Sequence, residues 1–403
     1  MKIMSKKRIV ATTGNGAVAE AMRQINPDIL SIYPITPQTA IVEGFSKFAA
    51  NGLVDTECVT VESEHSSMSN CIGASAAGAR VMTATSSQGL ALMHEMLYIA
   101  SGMRLPIAMF NVNRALSAPI NIHCDHSDSM GARDTSWIQL YSEDAQEAYD
   151  NTIQAIRIAE NRKVLLPVMV NMDGFIISHG IQKAEFIEDE KVKNFVGERE
   201  PFMPLLDIDN PVTYGPFDGL GGFFMEHKKN QADAMERAKS VILEVADEFA
   251  KISGRKYGFF EEYMLDDAEV AIVTLNSSAG TTRHVVDELR AKGVPVGLLK
   301  LRVFRPFPAE ELVNALKHLK AVAVLDRALS FGSVGPLFSE VKATLFDLEV
   351  RPKVINFIYG LGGREYTLQD AKRAFDVLMD VAKTGKVKKT FDYLGLKEVE
   401  VLT

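Results

Sequence analysis

The sequence holds too little cysteine to build anything from sulfur. Its three cysteines, Cys58, Cys71 and Cys124, form no CxxC pair. That excludes a disulfide framework, a cysteine-based zinc site and a self-contained four-cysteine iron–sulfur cluster in this chain. All three are expected to be buried, reduced thiols. Long apolar runs are missing too, since none approaches the roughly 20 residues that a membrane-spanning helix needs. Positive charge is not in excess: a net charge of −8 over 403 residues gives a nucleic-acid role no electrostatic support. Short-period repeats and low-complexity tracts are absent. The basic start, Met1-Lys-Ile-Met-Ser-Lys-Lys-Arg8, runs into a predicted strand rather than the apolar core of a signal peptide, so a cytoplasmic protein with no membrane or nucleic-acid partner is expected. What remains, 47% hydrophobic and 24% charged residues, describes a globular chain of two or three domains.

The rest of the chain is organised around Asp28-Ile-Leu-Ser-Ile-Tyr-Pro-Ile-Thr-Pro37. Ile29 to Tyr33 is short, apolar and bounded by turn formers, which predicts a buried strand. Pro34 has no N–H to donate and ends the ladder. Apolar residues then recur at helical spacing (Ile41, Phe45, Phe48), which places Thr36 at an N-cap and Pro37 at the first helical position. A strand, a rigid turn and a helix start at the carboxyl edge of a parallel sheet make a ligand site in open α/β folds; the plainer reading is that Thr36 only caps its helix.

In chain order, Arg8–Thr12 reads as a strand, followed by Gly14-Asn-Gly16 and a helix. A lone GxG at a helix start can cradle a phosphate or simply make the turn, and the rest of a dinucleotide fingerprint is missing. Val59–Glu62 is a third strand, and Glu64 precedes a helix of small residues from Ser67 to Ala79. A carboxyl at a buried helix N-terminus is pulled two ways: the helix end favours its charge and desolvation opposes it. That tension suits proton exchange with a ligand; the plainer reading is that Glu64 belongs to a helix cap. Strands at Arg80–Thr85 and Leu105–Val112 follow, and Arg114 stands at the end of the second, either to clamp a carboxylate or to pair with Glu62, Glu64 or an aspartate. The cluster His123, Asp125, His126 and Asp128 has ligand-type residues at a spacing that matches no standard metal pattern, so a polar active-site loop is expected there. A helix over 144–160 and a strand over 164–171 complete a doubly wound α/β unit reaching about His179. Prolines 201, 204, 211 and 216 mark an irregular arm over about 181–222, an amphipathic helix covers 230–253, and 259–267 reads as a linker. A second α/β unit follows, with strands at 269–275, 294–300 and 321–326 and a last strand at Lys353–Tyr359.

Four segments together resemble the α subunit of pyruvate:ferredoxin oxidoreductases, within the wider 2-oxoacid:ferredoxin oxidoreductase family. They are Tyr33-Pro-Ile-Thr-Pro37, Glu62-Ser-Glu-His65, Gly78-Ala-Arg-Val-Met-Thr-Ala-Thr-Ser-Ser-Gln-Gly89 and Asn113-Arg-Ala-Leu-Ser-Ala-Pro119. Lys300-Leu-Arg-Val-Phe-Arg-Pro-Phe-Pro308 and Val324-Leu-Asp-Arg327 are similar to that family's second unit, so the likeness covers nearly the whole chain. The resemblance implies an α/β fold in which a pyrimidine-type, thiamine-diphosphate-binding, doubly wound domain (1–255, including the arm at about 181–222) precedes a transketolase C-terminal-like αβα domain (260–403). It implies thiamine diphosphate shared with a β chain that holds the diphosphate and Mg²⁺. It also implies [4Fe-4S] clusters in partner chains only, and β, γ and ferredoxin-like δ subunits. Pyruvate, coenzyme A and ferredoxin would be the reactants. By the same resemblance Glu64 is the cofactor glutamate, bonded to N1′ of the aminopyrimidine. Thr36 and Arg114 bind substrate, and Pro34 touches the pyrimidine. Two alternatives stand beside this: the same chemistry on a branched-chain 2-oxoacid, 2-oxoglutarate or oxalate, and a non-catalytic scaffold subunit. A free dinucleotide-binding protein is the poorest fit.

Overall fold

The protein is described here from a computed structural model covering residues 8–397. In chain order the strands are β1 (Arg8–Thr12), β2 (Ile29–Ile32), β3 (Glu57–Thr60), β4 (Val81–Thr85), β5 (Ile107–Asn113), β6 (Ile138–Ser142), β7 (Val168–Asp173), β8 (Gln182–Phe186), β9 (Phe260–Tyr263), β10 (Val270–Leu275), β11 (Val296–Leu301), β12 (Val303–Arg305), β13 (Ala321–Asp326), β14 (Lys353–Ile358) and β15 (Phe391–Tyr393). Seven form the first sheet, in the order β12-β6-β7-β5-β4-β2-β3. All its neighbours are parallel except β12, which runs antiparallel to β6. Side chains alternate between two cores, as a pleated strand requires. Ala108, Phe110, Val112 and Val170 face the helices α1 (Gly14–Ile25), α2 (Thr39–Ala50), Ala145–Ala159 and Phe224–Ser253. Ile107, Met109 and Met169 face α3 (Glu64–Ala77) and His94–Gly102. Phe45 and Phe110 are almost completely buried, each stabilising the fold by about 1.5–3 kcal/mol relative to exposure. Among the described residues no helix is long and apolar enough to cross a membrane.

The second sheet, β15-β14-β13-β10-β11-β9, is parallel apart from the antiparallel edge strand β9 and carries helices on both faces, an αβα layer structure. Several expectations change here. β1 leaves the main sheet and pairs antiparallel with β8 in a two-stranded ribbon. The segment 181–222 is irregular only in its later part, because β8 and a helix at Asp189–Val196 occupy its start. The supposed linker at 259–267 contains β9, and Lys353–Tyr359 is not the last strand, since β15 adds beside β14. β9 and β15 are only four and three residues long, too short to show a period, and β8 has five. Cys71 and Cys124 are buried but Cys58 is only half-buried. Burial pushes the Cys71 thiol up to about 12, so it stays protonated and inert.

The two sheets are joined by polar groups rather than by a linker alone. β12 leaves the second unit to lengthen the first sheet, and Lys300 at the end of β11 reaches Glu147, Glu143 and Glu261. Arg302 is fully buried and donates to Asn151 Oδ1 (2.8 Å) and Gln154 Oε1 (3.1 Å). The deepest connection is Asp173, the last residue of β7. Its carboxylate accepts from Arg327 Nη1 (2.7 Å), Asn276 Nδ2 (3.0 Å), Cys124 Sγ (3.1 Å), the Ser277 N–H (3.2 Å) and the Ser277 hydroxyl. His126 Nε2 lies 2.8 Å from it. Burial opposes its charge, but Arg327 and His126 overcome that and hold the carboxyl well below its ordinary range. Removing one partner of a buried pair leaves an uncompensated charge, at about 3–5 kcal/mol. An Arg327→Ala chain is therefore expected to unfold at a clearly lower urea concentration than the parent, read by circular dichroism. An unchanged midpoint would mean that the pair does not hold the two units together.

Candidate active site

Every sequence-predicted site residue lies at the carboxyl edge of the first sheet. The turn after β2 carries Pro34 and Thr36, both exposed; α3 begins with Glu64, which is buried; Arg114, also buried, directly follows β5. The structure joins Thr36 and Arg114, whose Nη1 donates to the Thr36 carbonyl at 2.9 Å. That bond also explains why Thr36 is not an N-cap. Its carbonyl is taken by Arg114, and the Pro37 carbonyl is taken by Asn15 Nδ2 at 2.9 Å. Helix α2 therefore starts at Thr39, with Gln38 as its cap residue. The buried Gln38 side chain donates to Tyr33 O (2.9 Å) and Ala84 O (3.1 Å), which fixes the turn against the end of β4. The Gly14-Asn-Gly16 turn does not cradle a phosphate. The N–H groups of Gly14 and Asn15 are bonded to the carbonyls of Ile177 and Ser178, and Gly16 N–H goes to Thr13 Oγ1. Its work is to present Asn15 to Pro37.

Glu64 is the first residue of α3, and the cap is Ser63, whose hydroxyl accepts from the Ser66 N–H. Among the described residues the Glu64 carboxylate has no hydrogen-bond or ion-pair partner, although the residue is only 7% exposed. It packs onto Gly89 in the helix α4 (Ser87–Leu92): a β-carbon there would lie 2.7 Å from Glu64 Oε1 and 2.5 Å from Thr85 Oγ1. Thr85 Oγ1 is itself buried without a partner. A partnerless carboxylate at a helix N-terminus, beside an orphaned hydroxyl and a glycine that leaves room, fits a polar heteroaromatic ring such as an aminopyrimidine.

Arg114 also lacks a carboxylate partner among the described residues, so the internal ion pair considered from sequence is not formed. Burial lowers its pKa and Asp128 works against that. Asp128 accepts from the backbone N–H groups of Ser87, Arg114 and Ser129 and from Asn113 Nδ2, all within 3.0 Å. It thereby joins α4, on which Glu64 rests, to Arg114. The loop at 121–128 is thus a polar junction, buried at Cys124, Asp125, His126 and Asp128 and exposed at His123. Cys124 and His126 turn to Asp173, while Gly363 N–H bonds Cys124 O at 2.6 Å. Cys124, His126 and Asp173 could be mistaken for a metal triad, but Arg327 Nη1 already lies 2.7 Å from Asp173 and 3.7 Å from Cys124 Sγ. Sequence reasoning missed Asn15, Gln38 and Asp173. Only Gln38, next to the Pro37 turn, was signalled locally.

A buried carboxylate at a helix start on the carboxyl edge of a doubly wound sheet, beside a second αβα unit, is the arrangement to set against known families. Residues 20–247 match the family described as pyruvate flavodoxin/ferredoxin oxidoreductase, thiamine diphosphate-binding, and residues 268–371 match pyruvate:ferredoxin oxidoreductase core domain II. The chain belongs to this family and is a subunit of a 2-oxoacid:ferredoxin oxidoreductase. It is 55% identical over 389 residues to pyruvate synthase subunit PorA of Thermotoga maritima, covering 96% of this chain and 98% of that one. It is 50% identical to the same subunit of Methanocaldococcus jannaschii, covering 99% of this chain and all of that one. Ketoisovalerate oxidoreductase subunit VorA of Pyrococcus horikoshii is 43% identical, with 97% and 98% covered. Among solved structures, a 2-oxoglutarate:ferredoxin oxidoreductase from Magnetococcus marinus superposes with a TM-score of 0.72 at 21% identity, over 92% of this chain and 66% of that one, a likeness of fold.

Two outcomes test this geometry. Gly→Ala in a helix ordinarily stabilises by about 0.5–1 kcal/mol. Gly73→Ala, with open space around it, should follow that rule, whereas Gly89→Ala should displace Glu64 and weaken thiamine diphosphate binding, measured by equilibrium dialysis of the assembled enzyme. Burial, against four N–H donors, pushes Asp128 up from 3.8 to about 6. A group whose folded pKa is raised adds stability that is full below about pH 4 and lost as pH rises through about 6, here up to about 3 kcal/mol. Asp128→Asn should flatten that stretch of the melting temperature–pH curve.

Proposed function

We infer that this chain is the pyrimidine-binding α subunit of a pyruvate:ferredoxin oxidoreductase, converting pyruvate and coenzyme A to acetyl-CoA and CO₂. The observation that carries this reading is the buried, partnerless Glu64 carboxylate held on Gly89. Bound thiamine diphosphate supplies the electron sink for cleaving the carbon–carbon bond beside the oxo group. Glu64 would accept and return a proton at the N1′ ring nitrogen. Arg114, a buried cation without a carboxylate partner, binds the substrate carboxylate. Thr36, whose hydroxyl is exposed and unpaired among the described residues, hydrogen-bonds the substrate, and Pro34 bounds the ring on the same turn. Asp128 positions Arg114 and α4 through backbone N–H groups, keeping the carboxylate clamp in register with Glu64.

Partner chains complete the enzyme. The diphosphate and Mg²⁺ go to a β chain, a division supported by the occupied N–H groups of the Gly14–Gly16 turn. The [4Fe-4S] clusters that pass electrons to ferredoxin lie in β and ferredoxin-like δ chains, with a γ chain completing the assembly in the cytoplasm. The exposed apolar residues Phe217, Leu220, Phe223, Phe224 and Met225 support burial against such partners. Pyruvate is favoured over a branched-chain 2-oxoacid by the higher identities to the pyruvate synthase subunits.

The test is viologen reduction by the anaerobically purified complex with pyruvate and coenzyme A, beside a panel of other 2-oxoacids. Glu64→Gln should lower kcat by about 10²-fold or more. Arg114→Ala should raise the KM for pyruvate at least about tenfold. Full activity in Glu64→Gln would leave only a scaffold role, and an unchanged KM in Arg114→Ala would remove the carboxylate clamp.

A further inference from the structure

We propose that the amino edge of the first sheet carries a second ligand site, an arginine-lined pocket for a small organic phosphate of the nucleotide class. The pocket has a volume of about 450 Å³ and is lined by Arg104, Arg162, Arg199 and Arg237, with no aspartate or glutamate in its wall. Small-molecule sites are commonly about 300–1,000 Å³. It lies at the opposite edge from Glu64 and Arg114: Arg104 precedes β5 and Arg162 precedes β7. A seven-residue strand such as β5 separates the two edges by roughly 20 Å.

Arg199 makes this more than a charged patch. Its side chain is 10% exposed, and its Nε and Nη1 are buried without a hydrogen-bond partner. The nearest carboxylate, Glu160, is 3.9 Å from Nε and is already held by Arg80 through two bonds of 2.8 Å. Burial lowers the pKa of Arg199, an effect to which the like charges of Arg80 and Arg162 add and which Glu160 only partly offsets. Arg104 spends its guanidinium on the carbonyls of Leu165 and Val164 and on Asn230, none of them an anion. Arg237 Nε likewise goes to the Lys163 carbonyl. Among the described residues four cations thus converge with only Glu160 near them, a carboxylate already engaged by Arg80, and buried donors left unsatisfied are costly.

The roof is preformed. The arm after Gly197 is pinned where Leu205 N–H bonds Ala76 O at 2.8 Å, and Pro201 and Pro204 close over Gly78, where a β-carbon would sit 3.2 and 3.1 Å from theirs. Tyr214 OH donates within the arm to Met203 O at 3.0 Å, and Arg162 lies over the Phe202 ring at 5.2 Å. A monocarboxylate offers one charge to this set. A phosphate ester offers up to two per group and three oxygens for guanidinium forks, with an apolar body to set against Phe202 and Tyr214.

The experiment is calorimetric titration of the assembled complex with ATP, AMP and inorganic phosphate, on the parent and on Arg199→Gln and Arg162→Gln. Arg162 is exposed, so its replacement leaves the fold intact. Saturable ATP or AMP binding is expected, weakened at least about tenfold in either variant, with the KM for pyruvate and the melting temperature of Arg162→Gln unchanged. Competition by inorganic phosphate would assign recognition to the phosphate alone, and its absence would add the apolar body. No saturable nucleotide binding up to about 1 mM, binding equal in parent and both variants, or binding only after a partner subunit is stripped away would each overturn the proposal, the last by showing that a macromolecule fills the pocket.

Discussion

The structure depends on the charge of Asp173. This residue ends the strand next to β5, at the edge where the candidate site forms, and it gathers donors from three separate segments: the loop at 121–128, the end of β10 and Arg327 after β13. A carboxylate this deep persists only because the guanidinium beside it is equally deep, at 2% exposure. Neither group is tolerable without the other, so the pair fixes how the second unit seats on the first. The polar loop that a sequence reader meets as a string of histidines and aspartates is the mortar of that seat. Cys124, Asp125, His126 and Asp128 are buried because the fold supplies their partners there, whereas His123 stays exposed.

Around that junction the site divides its polar groups into two kinds. Gln38, Asn15 and Asp128 are bonded on several sides and hold the Pro34–Pro37 turn, the end of β4 and the start of α4 in fixed relation. Among the described residues, Glu64 and the Arg114 charge have no ion-pair partner and the Thr36 hydroxyl has no hydrogen-bond partner. A candidate site built in this way carries the desolvation of these polar groups in the folded state, so that a ligand bound there would regain it without rearrangement. The amino edge shows the opposite sign in the arginines beneath the arm. The two edges therefore present the Glu64 carboxylate and the Arg114 guanidinium on one side and a cluster of arginines on the other, with the parallel sheet between them.

Much of this was legible in the sequence. Ile29–Tyr33 and Leu105–Val112 are apolar runs bounded by turn formers, and such runs become central parallel strands because both of their faces are buried. Glu64 and Arg114 were found by their position at strand and helix ends, and both lie at the expected edge. The misses have physical causes. The start of α2 moved because the carbonyls of Thr36 and Pro37 were captured by side chains 78 and 22 residues away in the chain. Strands β9, β12 and β15 are too short for any periodicity and exist because a sheet edge was available to pair with them.

The sequence by itself determined the layered α/β architecture and the placing of Glu64, Arg114 and the Pro34–Pro37 turn at the carboxyl edge. These follow from local hydrophobic pattern and turn chemistry, which act over a few residues. Tertiary structure alone decided that Asp173 and Arg327 would neutralise each other and that Gly89 would leave space for Glu64. It also turned Gly14–Gly16 into a brace rather than a cradle, and left Arg199 Nε and Nη1 buried without a hydrogen-bond partner among the described residues. Those outcomes depend on which groups are brought within about 3 Å across long stretches of chain, where hydrogen bonding and charge compensation are settled.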